Sequence, residues 1–203
     1  MSRETDMTIE YYNQHADEYV ESTLHADMSE ARNKFLAYIP KGGTILDFGC
    51  GSGRDSKAFL DAGYQVVPLD GSPALCAYSN QLLALPVVCC KFKDYLAMAK
   101  YDGVWACASL LHLKKDELSA VLGQLIKSLK PGAPFYMSFK YGTFSGERNS
   151  RWFTDMTEER LKELMAHFSG AQLVEQWVTE DVRPERTEKW LNSIIIKNNS
   201  VCK

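Results

Sequence analysis

The sequence predicts a doubly wound α/β domain: a seven-stranded, mostly parallel sheet with two helices ahead of it and an antiparallel β-hairpin at its C-terminal end. Three observations carry this. Apolar strand-like runs alternate with amphipathic helical stretches from residue 44 to residue 139, the pattern of consecutive βα units. The first run passes through an acid into alternate glycines, Asp47-Phe48-Gly49-Cys50-Gly51-Ser52-Gly53, and such a turn delivers backbone amides to a ligand. The last two strand-like runs, 171–179 and 190–197, have no helical stretch between them, so they pair as a hairpin that puts an antiparallel edge strand on the sheet.

Ile9, Tyr12, Ala16, Tyr19 and Val20 recur at helical spacing, which predicts a helix over 8–20. A second helix is expected from Asp27, capped by Asp27 and Glu30, through Phe35 and Ile39 to Pro40. Strand one is residues 44–48, and a short helix after the glycine loop ends at Gly63. Strand two is 65–69. Ser72 and Pro73 stand in the favoured N-cap and N1 order for a helix over 73–83. Residues 87–90 form a short third strand and 103–107 a fourth, with no helix assigned around 94–99. Leu118, Val121, Leu122, Leu125, Ile126 and Leu129 mark the clearest amphipathic helix, stopped by Pro131 and Gly132. Strand five is 134–139, a polar loop follows, and 157–168 forms the last helix with Glu158 and Glu159 at its positive end.

The 203 residues are 45% hydrophobic and 11% aromatic, ordinary for one soluble globular domain. The subdivision expected is 8–40 as lid helices, 41–140 as the ligand-binding core and 141–197 as substrate-side loops and hairpin, with a frayed tail over 198–203. A net charge of −3 gives no general electrostatic reason to bind nucleic acid or an anionic membrane. No apolar run reaches the ~20 residues of a membrane helix, and the first ten residues lack the apolar core of a secretory signal. Six cysteines without a C-x-x-C pair or metal-ligand spacing read as buried free thiols of a cytoplasmic protein, with no metal expected.

The glycine spacing narrows the ligand. A dinucleotide fingerprint would be G-x-G-x-x-G facing a pyrophosphate, whereas these glycines alternate and follow Asp47. S-adenosylmethionine, with a sulfonium and an amino group but no phosphate, suits an acid beside the loop. A plain strand-to-helix turn is the competing explanation. Asp70 ends strand two about 20 residues beyond the loop, where an acid meets a ribose diol in comparable sheets.

Taken together, the run 46–53, Asp70, the segment from Tyr101-Asp102-Gly103 to Leu110-Leu111-His112-Leu113, and Leu129-Lys130-Pro131-Gly132 resemble the class I S-adenosylmethionine-dependent methyltransferases, with their Rossmann-like fold. The resemblance spans nearly the whole chain and is most like small bacterial small-molecule enzymes, such as the tellurite-resistance type. It implies a cofactor site of Asp47, Gly49, Gly51, Gly53, Asp70, Gly71 and Ser72, with Phe92, Lys93 and Asp94 around the adenine and Ala108 and Ser109 near the sulfonium. Asp47 would orient the loop or approach the methionine amine. His112 and Tyr19 are the candidate catalytic residues; His112 is either a base or donor toward the acceptor or a structural histidine. The first helix would form a lid, with Tyr11 and Tyr19 lining the methyl channel or serving only as packing.

The expected partner is a small-molecule acceptor, which Tyr141, Arg151, Arg183 and Arg186 would hold, Arg148 and Lys140 standing nearby. Clustered guanidiniums point to an anionic acceptor, yet Glu147, Asp155, Glu180, Asp181, Glu185 and Glu188 offer ordinary salt bridges instead. Alternatives are a protein or RNA methyltransferase and a non-catalytic cofactor-binding module. DNA amino-methylation lacks support, since Ala106-Cys107-Ala108-Ser109 is unlike the Asn/Asp-Pro-Pro-Tyr/Phe motif that holds a flipped base. Tyr136 and Lys140 have the Y-x-x-x-K spacing of short-chain dehydrogenases, but on a strand they stand ~13 Å apart. The acceptor atom and the choice between monomer and homodimer stay open.

Overall fold

The computed structural model describes residues 3–184 and 186–199. Glu185, Cys202 and the end of the tail over 200–203 lie outside the described residues.

Seven strands form one sheet: β1 (Thr44–Phe48), β2 (Gln65–Asp70), β3 (Val88–Cys89), β4 (Gly103–Ala106), β5 (Pro134–Lys140), β8 (Ala171–Glu180) and β9 (Lys189–Lys197), in the order β3-β2-β1-β4-β5-β9-β8. The chain runs outward from β1 to β3 and restarts beside β1 with β4, so the topological switch lies between β1 and β4. Ligands of such sheets sit outside the carboxyl ends of the strands at that switch. β9 is antiparallel to both β5 and β8. The antiparallel strand is therefore internal, and the edge is β8, which corrects the edge position expected from the sequence. The reason lies in β9, whose Leu191, Ile194 and Ile195 are fully buried, whereas β8 alternates exposed and half-buried residues as an edge must.

Helices cover both faces. Ile45, Phe59, Trp105, Tyr136 and Phe35 pack on one side, where Trp105 stacks on Tyr136 with centroids 3.8 Å apart. α3 (Ser29–Leu36) and α4 (Arg54–Asp61) close that side. Leu46, Phe48, Val104, Phe135 and Met137 face the other side, against α6 (Lys115–Ser128) and α7 (Glu158–Met165). Thr157 caps α7 through a hydrogen bond from the Arg160 amide, and Ser72 caps α5 (Pro73–Leu83) through the Leu75 amide. Each alternation of β-strand side chains thus splits one strand between two cores.

Three elements differ from expectation. The first helix is two: α1 (Arg3–Gln14) and α2 (Ala16–Thr23), broken at His15, whose φ of −118° and ψ of 26° leave the helical region. α1 also begins earlier than its apolar periodicity, because distant partners hold its first turn: Glu4 pairs with Lys114 at 2.8 Å and Asp6 with Lys91. The second helix is shorter, and Asp27 accepts from the Ser29 amide at 2.8 Å rather than forming a reciprocal cap with Glu30. The polar loop after β5 contains a hairpin, β6 (Ser145–Arg148) paired with β7 (Arg151–Thr154). Its turn residues Asn149 and Ser150 sit at φ 48° and 58°, the left-handed pair a tight hairpin needs.

Among the described residues no helix is long and apolar enough to cross a membrane, and no cluster of three metal-ligating side chains occurs. Cys50 and Cys76 are buried thiols, Cys90 and Cys107 are partly covered, and Cys89 is exposed. The exposure of Cys89 corrects the uniform burial expected, since β3 is the other edge of the sheet.

Candidate active site

The chain leaves β1 through Gly49, Gly51 and Gly53, all left-handed at φ 91°, 54° and 78°. The Gly49 and Cys50 amides both donate to the Leu69 carbonyl at 2.8 Å, and Ser79 donates to the Gly51 carbonyl at 2.7 Å. Space as well as φ demands glycine at position 49: a Cβ there would lie 2.4 Å from the Cβ of Ser109. The loop is held shut against β2 and open toward the switch point.

Asp70 stands at that opening. Its Oδ2 accepts from the Gly51 amide and its Oδ1 from the Ser72 amide, both at 2.9 Å. Burial raises its pKa, against the amides of Ser72, Gly51 and Gly71 that favour the ionised form. A carboxylate has about four lone-pair sites, so two remain for hydroxyl donors. This acid, a glycine cradle and the Phe92 ring beside Phe48 (4.3 Å) fit a cofactor with a diol and a flat base.

A cavity of about 70 Å³ occupies this place, bounded by Gly49, Gly51, Asp70, Gly71, Ser72, Phe92, Ala108 and Ser109 and roofed by Ile9 and Tyr12 of α1. A second cavity of about 400 Å³ opens beside it, between α1, α2 and the ends of β4, β5 and β9. Tyr12, Tyr19, Ala108 and His112 line both. These four side chains form the wall between the two spaces. Ala108 holds φ 52° there, its amide donating to Ser138 Oγ at 2.9 Å, the kind of backbone outlier that gathers at functional sites.

His112 bonds through both ring nitrogens, Nδ1 to the Trp152 carbonyl at 2.7 Å and Nε2 to the Tyr12 hydroxyl at 2.9 Å. A carbonyl only accepts, so Nδ1 carries the proton and Tyr12 donates to Nε2. Burial lowers the imidazole pKa to about 4. Burial also raises the Tyr12 and Tyr19 pKa values and pushes the Cys107 thiol up to about 11, so these groups stand neutral in the wall and the outer cavity.

The remaining predicted residues divide. Asp47 is buried on the face opposite the cavity, in register with Ile45, and accepts from Ser56 Oγ at 2.6 Å. Burial and the charge of Asp55 raise its pKa to about 7. Gly53 serves as the N-cap of α4. Lys93 and Asp94 share the 3-10 turn Phe92–Asp94 but do not line the cavity, and Asp94 is exposed. Tyr141 falls on the other side of β5 from Lys140 and donates to Glu158 at 2.9 Å, outside the outer cavity.

Tyr11, Arg151, Arg183 and Arg186 do line the outer cavity. Arg183 is tied to Asp181 through Nε at 2.8 Å, and Arg186 reaches Glu188 at 3.8 Å. Arg148 forms a forked pair with Asp155 at 3.1 and 2.7 Å, away from the cavity. Sequence reasoning missed Tyr12, one position from the tyrosine it named, and Arg54, which lines the outer cavity with its guanidinium forked onto Asp55 at 3.1 and 2.6 Å. The acid directly after Arg54, Asp55, was the available signal.

A family model described as "Methyltransferase domain" matches residues 45–132. The chain is 27% identical over 128 residues to a putative methyltransferase YqeM of Bacillus subtilis (59% of this chain, 51% of that protein). It is 32% identical over 101 residues to a cypemycin N-terminal methyltransferase of a Streptomyces species (47% and 41%). The chain thus spans about half the length or less of these curated relatives. Among solved structures, a 1,6-didemethyltoxoflavin-N1-methyltransferase of Burkholderia thailandensis, with S-adenosylhomocysteine bound, superposes with a TM-score of 0.76 at 23% identity (94% of this chain, 85% of that one). The glycine loop, the buried acid at the end of β2 and the seven-stranded sheet stand beside these matches: over residues 45–132 the chain is similar to a methyltransferase domain, and its fold is shared with solved S-adenosylmethionine-dependent methyltransferases.

Proposed function

We propose that the protein transfers a methyl group from S-adenosylmethionine to a small acceptor that carries an anionic group and lies in the outer cavity. The observation that carries this reading is the wall of Tyr12, Tyr19, Ala108 and His112 shared by the two cavities. The cofactor supplies an electrophilic methyl on a positively charged sulfur, open to in-line displacement. Gly49, Gly51 and Asp70 would hold it on the inner side, with Asp70 toward a diol and Phe92 toward a base.

The chain's part is to position and to exclude water. The lid carries Tyr12 and Tyr19 over the site, and neutral His112 keeps the Tyr12 hydroxyl aimed at Nε2. The small-molecule reading is favoured over a protein or RNA acceptor because α1 and α2 partly roof a space of about 400 Å³ beside the wall, of the size of a small acceptor. The 1,6-didemethyltoxoflavin-N1-methyltransferase that shares the fold adds weight, since the acceptor bound in it is a small molecule.

Calorimetry with S-adenosylmethionine and S-adenosylhomocysteine, followed by label transfer from methyl-labelled cofactor into a fractionated cell extract, tests the proposal. Label in the acid-soluble fraction is expected. Label confined to protein or RNA would overturn the small acceptor, and tight cofactor binding without any transfer would favour a binding module.

A further inference from the structure

One cation of the outer cavity stands apart from the other four. Five basic side chains line it, and four have carboxylate partners: Arg54 on Asp55, Lys140 on Glu188 at 2.9 Å, Arg183 on Asp181, and Arg186 on Glu188. Arg151 has no carboxylate within salt-bridge distance among the described residues, and its Nε is buried without a hydrogen-bond partner. A buried donor left unpaired costs about 1–3 kcal/mol, so its neighbours must hold the side chain where it is.

They are aromatic. The Arg151 guanidinium lies 4.1 Å from the Tyr11 ring centroid, 5.3 Å from Phe153 and 5.7 Å from Tyr12. Tyr11 is in turn stacked on His15 at 4.2 Å, with planes 15° apart. The rings fix the guanidinium and the Tyr12 hydroxyl takes up one of its N–H groups, which leaves the rest of the planar fork for an oxyanion.

Charge sets the size of that anion. The Arg151 fork itself neutralises one negative charge, and exposed Glu18 and Glu180 at the rim repel a second. A dianion would carry uncompensated charge into a partly desolvated space, at a steep penalty. Tyr11, Tyr12, Tyr19, Phe153 and Trp190 give flat aromatic faces to a cavity that also presents Thr23, Ser138 and Asn192.

We infer that the methyl acceptor is a monoanionic acid with a flat, apolar body, its carboxylate held by Arg151 and its ring between the lid tyrosines and Trp190. This rests on the acceptor reading above and narrows it to one class. Arg151 is then the residue that sets specificity, and the tied arginines are scaffold.

The test is a titration of the protein, with and without saturating S-adenosylhomocysteine, using benzoate, benzamide and phenylphosphonate at alkaline pH as probes. Benzoate is expected to bind best. Arg151→Met should weaken it about 10- to 100-fold, the range for losing a forked charged pair, and Arg151→Lys should fall between. Unchanged thermal unfolding of the Lys variant guards against misfolding. Benzoate binding indifferent to both substitutions, phenylphosphonate binding as tightly as benzoate, benzamide equal to benzoate, or no benzoate binding by folded wild type would each overturn the inference. Failure of S-adenosylhomocysteine alone to bind would count against the methyltransferase reading, while the cofactor-free titration still reports on Arg151.

Discussion

The Tyr12 hydroxyl donates to Nε2 of His112 at 2.9 Å because Nδ1 of the same ring is committed to the Trp152 carbonyl at 2.7 Å. One imidazole thereby joins α1 to the β6–β7 hairpin. Tyr12→Phe leaves Nε2 an unsatisfied acceptor, a loss of about 1 kcal/mol, and frees α1 near its C-terminal end. Amide exchange across Arg3–Gln14 should accelerate while the sheet is unaffected; unchanged protection there would show that α1 is held by other contacts. Nitrogen-15 spectra of wild type should find His112 neutral with the proton on Nδ1.

Gly49 and Gly63 share nearly the same backbone, φ 91° and 85°, but only Gly49 faces a neighbour: its added Cβ would meet Ser109 at 2.4 Å, whereas Gly63 has open space. Gly63→Ala therefore measures left-handed strain alone, about 1 kcal/mol. Gly49→Ala should add a clash and deform the cradle, so stability falls by about 2–4 kcal/mol and S-adenosylhomocysteine binding is lost. Equal effects of the two substitutions in urea unfolding would refute the crowding.

The parts of the site legible in the sequence are those whose chemistry is local. Alternate glycines and an acid at the end of β2 are backbone requirements, and Gly49, Gly51, Asp70 and Ser109 meet around one cavity. Which predicted residues lie off the cavity depends on sidedness. Asp47 shares strand parity with Ile45 and Tyr141 opposes Lys140, so each points away from the cleft although its neighbour in sequence is well placed. The β6–β7 hairpin was hidden because Ser145–Arg148 has no apolar alternation; its register comes from paired backbone and from Asn149 and Ser150. Similarly, the first turn of α1 is held by Lys91 and Lys114, far along the chain.

Asp70 accepts two loop amides, from Gly51 and Ser72, with one oxygen each. Asp70→Asn replaces one acceptor by an NH₂ donor facing a backbone N–H. The loop must shift, and the remaining lone pairs toward the cavity are halved. S-adenosylhomocysteine affinity should drop at least about ten-fold, near the 1.4 kcal/mol that a single strong hydrogen bond contributes. An unchanged dissociation constant by calorimetry would remove Asp70 from the cofactor site.

Asp47 and His112 give pH dependences of opposite slope. The folded pKa of Asp47 is raised to about 7 from 3.8, so the folded chain holds a proton that the unfolded chain releases between those values. Its contribution is full below about pH 4 and is lost as pH rises through 7. His112 is shifted down to about 4 from 6.5, so the unfolded chain binds the extra proton. Its contribution is full above about pH 6.5 and is lost as pH falls toward 4. The two partly cancel in wild type between pH 4 and 6.5, and only the Asp47 slope persists from 6.5 to about 8. Asp47→Asn keeps an acceptor for Ser56 Oγ and removes the ionisation. Its stability relative to wild type, from urea midpoints, should improve by on the order of 2 kcal/mol between pH 5 and pH 8.5. His112→Asn should lose its relative disadvantage as pH falls from 7 to 4.5, by on the order of 1–2 kcal/mol. Parallel curves for either variant and wild type would mean that the corresponding group titrates normally in the folded chain.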